Sequence, residues 1–183
     1  MRPLIFLDFD DVLCLNASDY NSMMMLRVID GVTPDTPDTP ELWEHLMDRK
    51  SVDNLRQLDA EFKPLYVISS SWATHLTNAQ LCDVLTRTQL GFVGDNLHEE
   101  WKTPRARSSS RRDEIEWWLD ANRKAGQAFI VIDDTDSGYT LAYTYFAHEG
   151  HLVMCSAGGR SGFGNGQLET ARKHLRRQLI QAE

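Results

Sequence analysis

The residues best suited to chemistry lie in three short polar clusters, each closing an apolar run. The first is Asp8-Phe-Asp10-Asp11, after Leu4-Ile-Phe-Leu7. Along an extended backbone Asp8 and Asp10 point the same way, and carboxylates crowded together repel one another. A divalent cation among them offsets that repulsion, and a hard ion such as Mg²⁺ takes oxygen ligands. Ser69-Ser70-Ser71 follows the run Leu65-Tyr-Val-Ile68, and Asp133-Asp134-Thr135-Asp136 follows Phe129-Ile-Val-Ile132. The carboxylates could hold a metal while a serine hydroxyl donates to a bound anion. Arg111 or Lys102 would supply the positive charge that neutralises a phosphoryl group.

These clusters need a frame to bring them together. The three apolar runs alternate with helical patterns, which predicts a mainly parallel sheet covered on both faces: an α/β, Rossmann-like three-layer sandwich. In open sheets of that kind, ligands bind beyond the carboxyl ends of the strands. Helices are expected from near Pro40 (stripe Leu42, Trp43, Leu46, Met47), through Val52, Leu55 and Leu58, and over about 77–88. Ser110 would cap a helix over 111–122 whose inner face holds Ile115, Trp118 and Leu119. The stretch between the third helix and residue 102 reads as a loop rich in Gly, Asp and Asn, followed by basic, turn-forming residues 102–112. A weaker strand, Leu152-Val-Met-Cys155, precedes a Gly-rich segment at 158–166 that lacks the P-loop pattern. A basic amphipathic helix over about 167–180 follows. Residues 14–40 hold Met23–Met25 and the proline-punctuated run Thr33–Pro40; they read as a short flap beside the site.

Composition narrows the class. A 183-residue chain that is 42% hydrophobic can bury one core, so one domain over 1–183 is expected. The formal net charge of −8 suits bulk nucleic acid poorly, unless a local basic patch overrides it. No apolar stretch reaches membrane-spanning length, and aspartates interrupt the N-terminal run too early for a signal peptide, so no membrane partner is expected. Cys14, Cys82 and Cys155 are too scattered for a disulfide framework or a zinc site, which points to the reducing cytoplasm.

Taken in order, LDFDDVL, YVISSS, a basic residue opening a later helix, and FIVIDD resemble the haloacid dehalogenase (HAD) superfamily of phosphohydrolases. The phrases ISSSW and SRRDEIEWWL, followed by IDD, resemble more closely the HAD domains of multi-domain RNA-repair proteins, over about residues 4–170. The resemblance implies that Asp8 is the nucleophile of an aspartyl-phosphate mechanism and Asp10 the general acid, then base. It implies Mg²⁺ held by Asp8, by Asp10 through its backbone carbonyl, and by Asp133 or Asp134. Ser69, then Ser70, would be the phosphate-binding hydroxyl, and Arg111 stands where the family usually has lysine, with Lys102, Arg105 and Arg112 as other choices.

Two residues depart from the family pattern. Asp11 replaces a common glycine, although Asp tolerates a left-handed backbone better than most residues. Arginine for lysine at 111 changes a point charge into a planar fork. The insert at 14–40 is too short for a large cap, and an open site suits a bulky substrate. The implied function is a Mg²⁺-dependent phosphomonoesterase acting on polynucleotide phosphate ends, with nucleotides and phosphoproteins as other substrates. The alternative is a catalytically degenerate module that binds phosphate groups or a partner. A signalling receiver domain fits less well, because its phosphoacceptor follows a later strand than its acidic pair.

Overall fold

The computed structural model describes residues 1–15, 40–158 and 161–181. Most of the expected flap at 14–40 therefore lies outside the described residues. Five strands form the sheet: β1 (Leu4–Leu7), β2 (Leu65–Ile68), β3 (Leu97–Lys102), β4 (Phe129–Asp134) and β5 (Leu152–Cys155). Their order is β3-β2-β1-β4-β5 and every pairing is parallel. β1 sits at the centre, with Leu7 in register with Ile68 on one side and Ile132 on the other. That register brings the residues after Leu7, Ile68 and Ile132 to one edge.

Seven helices cover the sheet among the described residues: α1 (Pro40–Leu46), α2 (Arg49–Phe62), α3 (Asn78–Arg87), α4 (Gly91–Gly94), α5 (Arg111–Asn122), α6 (Tyr145–His148) and α7 (Asn165–Gln181). Strand side chains alternate between two cores. Ile5, Leu7, Ile68, Ile130 and Ile132 pack with Leu55 and Leu58 of α2, Leu81 and Leu85 of α3, and Leu168 and Leu175 of α7. Leu4, Phe6, Val67, Phe129 and Val131 face the other way, onto Ile115, Trp118 and Leu119 of α5 and Phe146 of α6. Strands buried on both faces read as continuous apolar runs, which is why β1, β2 and β4 are visible in the sequence. Each such side chain contributes about 1.5–3 kcal/mol by leaving water.

Local chemistry sets the helix ends near the site. Ser110 and Asp113 form a capping box at the start of α5: the Ser110 hydroxyl accepts from the Asp113 amide, and the Asp113 carboxylate accepts from the Ser110 amide. α5 therefore begins at Arg111, which fixes where that side chain leaves the backbone. β3 corrects the expected loop. It is an edge strand whose residues His98, Glu99 and Glu100 are polar and mostly exposed, and charge on an edge strand deters pairing with another chain. No described helix is long and apolar enough to cross a membrane.

Candidate active site

The three polar clusters meet beyond the carboxyl ends of β1, β2 and β4. Oxygen atoms of Asp8, Asp133 and Asp134 lie within 4.8 Å of one another, and all three residues are buried. Gly138 closes over them: a Cβ there would stand 2.8 Å from the Asp134 carbonyl oxygen and 3.1 Å from the Asp133 Cβ. Asp134 is partly engaged, its Oδ1 accepting from the amides of Asp136 (2.7 Å) and Ser137 (3.1 Å). Asp133 Oδ1 accepts from the Asp134 amide at 2.9 Å. Two of the carboxylate oxygens, Asp8 Oδ2 and Asp133 Oδ2, have no hydrogen bond although both are buried.

Arg111 is the cation that reaches this group. Its guanidinium lies 2.8 Å from Asp133, 3.4 Å from Asp8 and 3.7 Å from Glu114. The 2.8 Å approach of Nε to Asp133 lacks the alignment of a hydrogen bond, so charge holds the pair together. One arginine does not neutralise three carboxylates. Burial, then Asp133, raise the Asp8 pKa well above the ordinary range against the opposing pull of Arg111. Burial is likewise the first cause for Asp133, raised to about 7 despite Arg111. The same negative field, added to burial, pushes the Cys155 thiol up to about 12. Burial disfavours the charge on Arg111, but Asp133 and Asp8 more than offset this, and its pKa is raised.

This donor set fits a hard divalent cation. It offers only oxygen ligands, and it leaves the buried Asp8 Oδ2 without a hydrogen bond and Asp133 Oδ2 held only by the charge of Arg111. Burial together with surplus negative charge raises the protonation constants that a cation would lower. Asp10 stands apart from the three-carboxylate group. Its half-buried carboxylate accepts from the Trp72 indole, 3.2 Å to each oxygen.

The serines divide by role in the local structure. Ser70 caps the short 3₁₀ turn Ser71–Thr74, its hydroxyl accepting from the Trp72 amide at 3.4 Å. The Ser69 hydroxyl is buried and has no hydrogen-bond partner. Four of the six buried side-chain polar atoms without a hydrogen-bond partner, among the described residues, thus belong to Asp8, Ser69, Arg111 and Asp133. Buried polar groups are normally satisfied. Arg111 Nε and Asp133 Oδ2 face each other as an ion pair, which leaves Asp8 Oδ2 and the Ser69 hydroxyl as the oxygens able to take a ligand.

Asp11 takes up the left-handed backbone expected of it, with φ of 56°. Its carboxylate accepts from the Gly158 amide at 2.9 Å, so at least that amide of the Gly-rich segment is spent within the protein. Gly162 is required where it stands, because a Cβ would collide with the Val12 carbonyl oxygen. Lys102 instead donates to the Ala73 carbonyl (3.1 Å), and exposed Arg112 pairs with half-buried Glu116 (2.9 Å). Arg105 lines the same small pocket as Asp8, Asp10 and Arg111, of about 150 Å³.

Glu114 is the residue that the sequence reading missed. It is buried, accepts from the Ser109 hydroxyl (2.8 Å), and pairs with Arg105 (3.6 Å) and Arg111 (3.7 Å). The signal was available: Glu114 lies three residues after Arg111, beside Ile115 on the inner face of the helix, and side chains three apart are neighbours.

The profile of the HAD domain in Swiss Army Knife RNA repair proteins matches residues 4–164, from the first residue of β1 to the loop before α7. The chain belongs to this family. No curated protein and no solved structure matches it. The parallel sheet with helices on both faces is the α/β architecture expected of a HAD domain, and nothing in the described residues forms a large cap. Family membership places the HAD domain described here among HAD-type phosphohydrolases.

Proposed function

We propose that the protein is a Mg²⁺-dependent phosphomonoesterase that works through an aspartyl-phosphate on Asp8 and acts on polynucleotide phosphate ends. The observation that carries the reading is the buried trio Asp8, Asp133 and Asp134 with its surplus of negative charge, beside which Asp8 Oδ2 and the Ser69 hydroxyl have no hydrogen bond. Asp8, Asp133 and Asp134, with the Asp10 backbone carbonyl, would hold the Mg²⁺. When bound, the ion screens the carboxylate nucleophile from the phosphate dianion and stabilises charge on the phosphoryl oxygens.

The residues of the chain divide the remaining work. An Asp8 oxygen attacks phosphorus, and the bond from phosphorus to the leaving oxygen breaks. Asp10 gives its proton to that leaving oxygen, with the Trp72 indole orienting its carboxylate. Asp10 then takes a proton from water, which attacks phosphorus, frees inorganic phosphate and restores Asp8. The Ser69 hydroxyl donates to a phosphoryl oxygen. Arg111, held between Asp133 and Glu114, turns its fork toward the phosphoryl group. The polynucleotide substrate is supported by the RNA-repair setting of the matched family.

Phosphate release tests this reading. Wild-type and Asp8→Asn protein would be given an aryl phosphate, nucleotides, and 3′- and 5′-phosphorylated oligonucleotides, with Mg²⁺ or with chelator. Release that needs Mg²⁺ and disappears in D8N is expected, with an oligonucleotide preferred. Full metal-dependent activity in D8N would refute the nucleophile. Phosphate binding without turnover would favour the degenerate module.

A further inference from the structure

Beside the carboxylate pocket a larger cleft, of about 660 Å³, opens between the end of β3 and α5. Arg105 and Glu114 line both cavities, so the two adjoin across that pair of side chains. The chemistry at Asp8 makes no use of the larger one, whose volume is in the range of small-molecule sites. Its walls include Lys102, Arg105, Trp117 and Trp118.

The two tryptophans differ sharply. Trp118 is core: it meets Phe6 edge-on with centroids 5.2 Å apart, and its indole donates to the Glu100 carbonyl at 2.8 Å. Trp117 is 47% exposed and has no hydrogen-bond or ring partner among the described residues. Lys102 spends one ammonium hydrogen on Ala73 and keeps others for a ligand. Two acidic residues line the cleft: Glu114 is paired with both Arg105 and Arg111, and Glu100 is exposed on the strand edge, where solvent and salt screen its charge. An exposed aromatic face flanked by cations, next to a phosphate site, suits a base and its phosphodiester.

We propose that this cleft seats the terminal nucleoside of a single-stranded polynucleotide, its base stacked on Trp117 and the adjoining phosphodiester against Lys102 and Arg105. This rests on the phosphatase reading of the Asp8 site and names its substrate as a single-stranded end.

The test compares kcat/KM on an aryl phosphate with kcat/KM on single-stranded and duplex phosphorylated oligonucleotides, RNA and DNA. Wild type, Trp117→Ala, Trp117→Phe and Lys102→Gln would be assayed. In parallel, fluorescence anisotropy would follow a labelled oligonucleotide on Asp8→Asn protein, with and without W117A, across a salt series.

W117A should lower the oligonucleotide-to-aryl-phosphate ratio about tenfold, through KM, and W117F should restore most of it. K102Q should flatten the salt dependence of oligonucleotide binding by about 0.7 in log–log slope. An unchanged ratio and unchanged binding in W117A would overturn the proposal, as would a preference for duplex ends. If no phosphate is released from any substrate, the phosphatase reading fails. The anisotropy then still decides the cleft: affinity weakened by W117A supports it, and affinity that is absent or insensitive overturns it.

Discussion

Two clusters of opposite charges in this molecule reach opposite outcomes. On the outer surface, Glu61 of α2 meets Arg172 and Arg176 of α7, with Arg172 2.9 Å away. Burial by itself would raise the pKa of that carboxylate, but hydrogen bonds and charge from Arg176 and Arg172 together outweigh it and hold the pKa below the ordinary value. At the end of the sheet, Asp8, Asp133 and Asp134 share one arginine, and Asp8 and Asp133 are pushed up instead. Glu169 also pairs with Arg172, so the surface cluster matches two cations to two anions and is complete within the protein. The buried one has a single cation for three anions. A fold keeps such a deficit where something from outside supplies the charge.

Substitutions at the buried cluster should therefore have large effects, and those at the surface small ones. Ser69→Ala should reduce kcat/KM by about 10², since it removes a preorganised donor to the phosphoryl group. Ser70→Ala, which removes only a cap, should act mainly on thermal stability; equal kinetic losses in the two variants would erase the distinction between the hydroxyls. Asp133→Asn should weaken Mg²⁺ binding by at least about tenfold in calorimetry, whereas Glu61→Gln should leave it unchanged.

The pH response should separate the clusters as well. Asp133 is raised from 3.8 to about 7, so the folded apoprotein holds this proton more tightly than the unfolded chain does. Its contribution to stability is present in full below 3.8 and is lost as pH rises through about 7. Melting curves in chelator should accordingly show a decline over that window, and Mg²⁺ should restore most stability at its alkaline end. A Mg²⁺ effect that is the same at pH 5 and pH 8 would contradict this. The smallest effect belongs to the surface: E61Q should shift Tm by no more than about 2 °C, because exposed ion pairs contribute little.

Much of this contrast was legible in the sequence, for physical reasons that differ by element. β1, β2 and β4 announce themselves as continuous apolar runs because both of their faces are buried. The start of α5 was legible because Ser110 is a strong cap residue, and Asp113 completes the capping box in the structure. β3 was not, because an edge strand needs burial on one side at most, and His98-Glu-Glu100 reads as a loop. Asp8, Asp133 and Asp134 could be named from their place after apolar runs. The difference between Ser69 and Ser70 could not, since it depends on which hydroxyl the Trp72 amide claims. Glu114 was hidden because a lone glutamate on a charged helix normally faces water, and only packing reveals that this one faces Arg111. Trp118 was legible as core from its spacing with Ile115 and Leu119, and the same helix rotation leaves its neighbour Trp117 exposed.

The proposed nucleophile is Asp8, its carboxylate kept charged in the uncompensated cluster by a bound cation, and trapping the phosphoenzyme is the direct test. Protein mixed with a radiolabelled phosphomonoester that it hydrolyses would be acid-quenched within a turnover and digested, and the labelled peptide identified. The account predicts a Mg²⁺-dependent, hydroxylamine-labile phosphate on the peptide containing Asp8, absent from Asp8→Asn. Turnover with no label on that peptide, or label that persists in D8N, would contradict it.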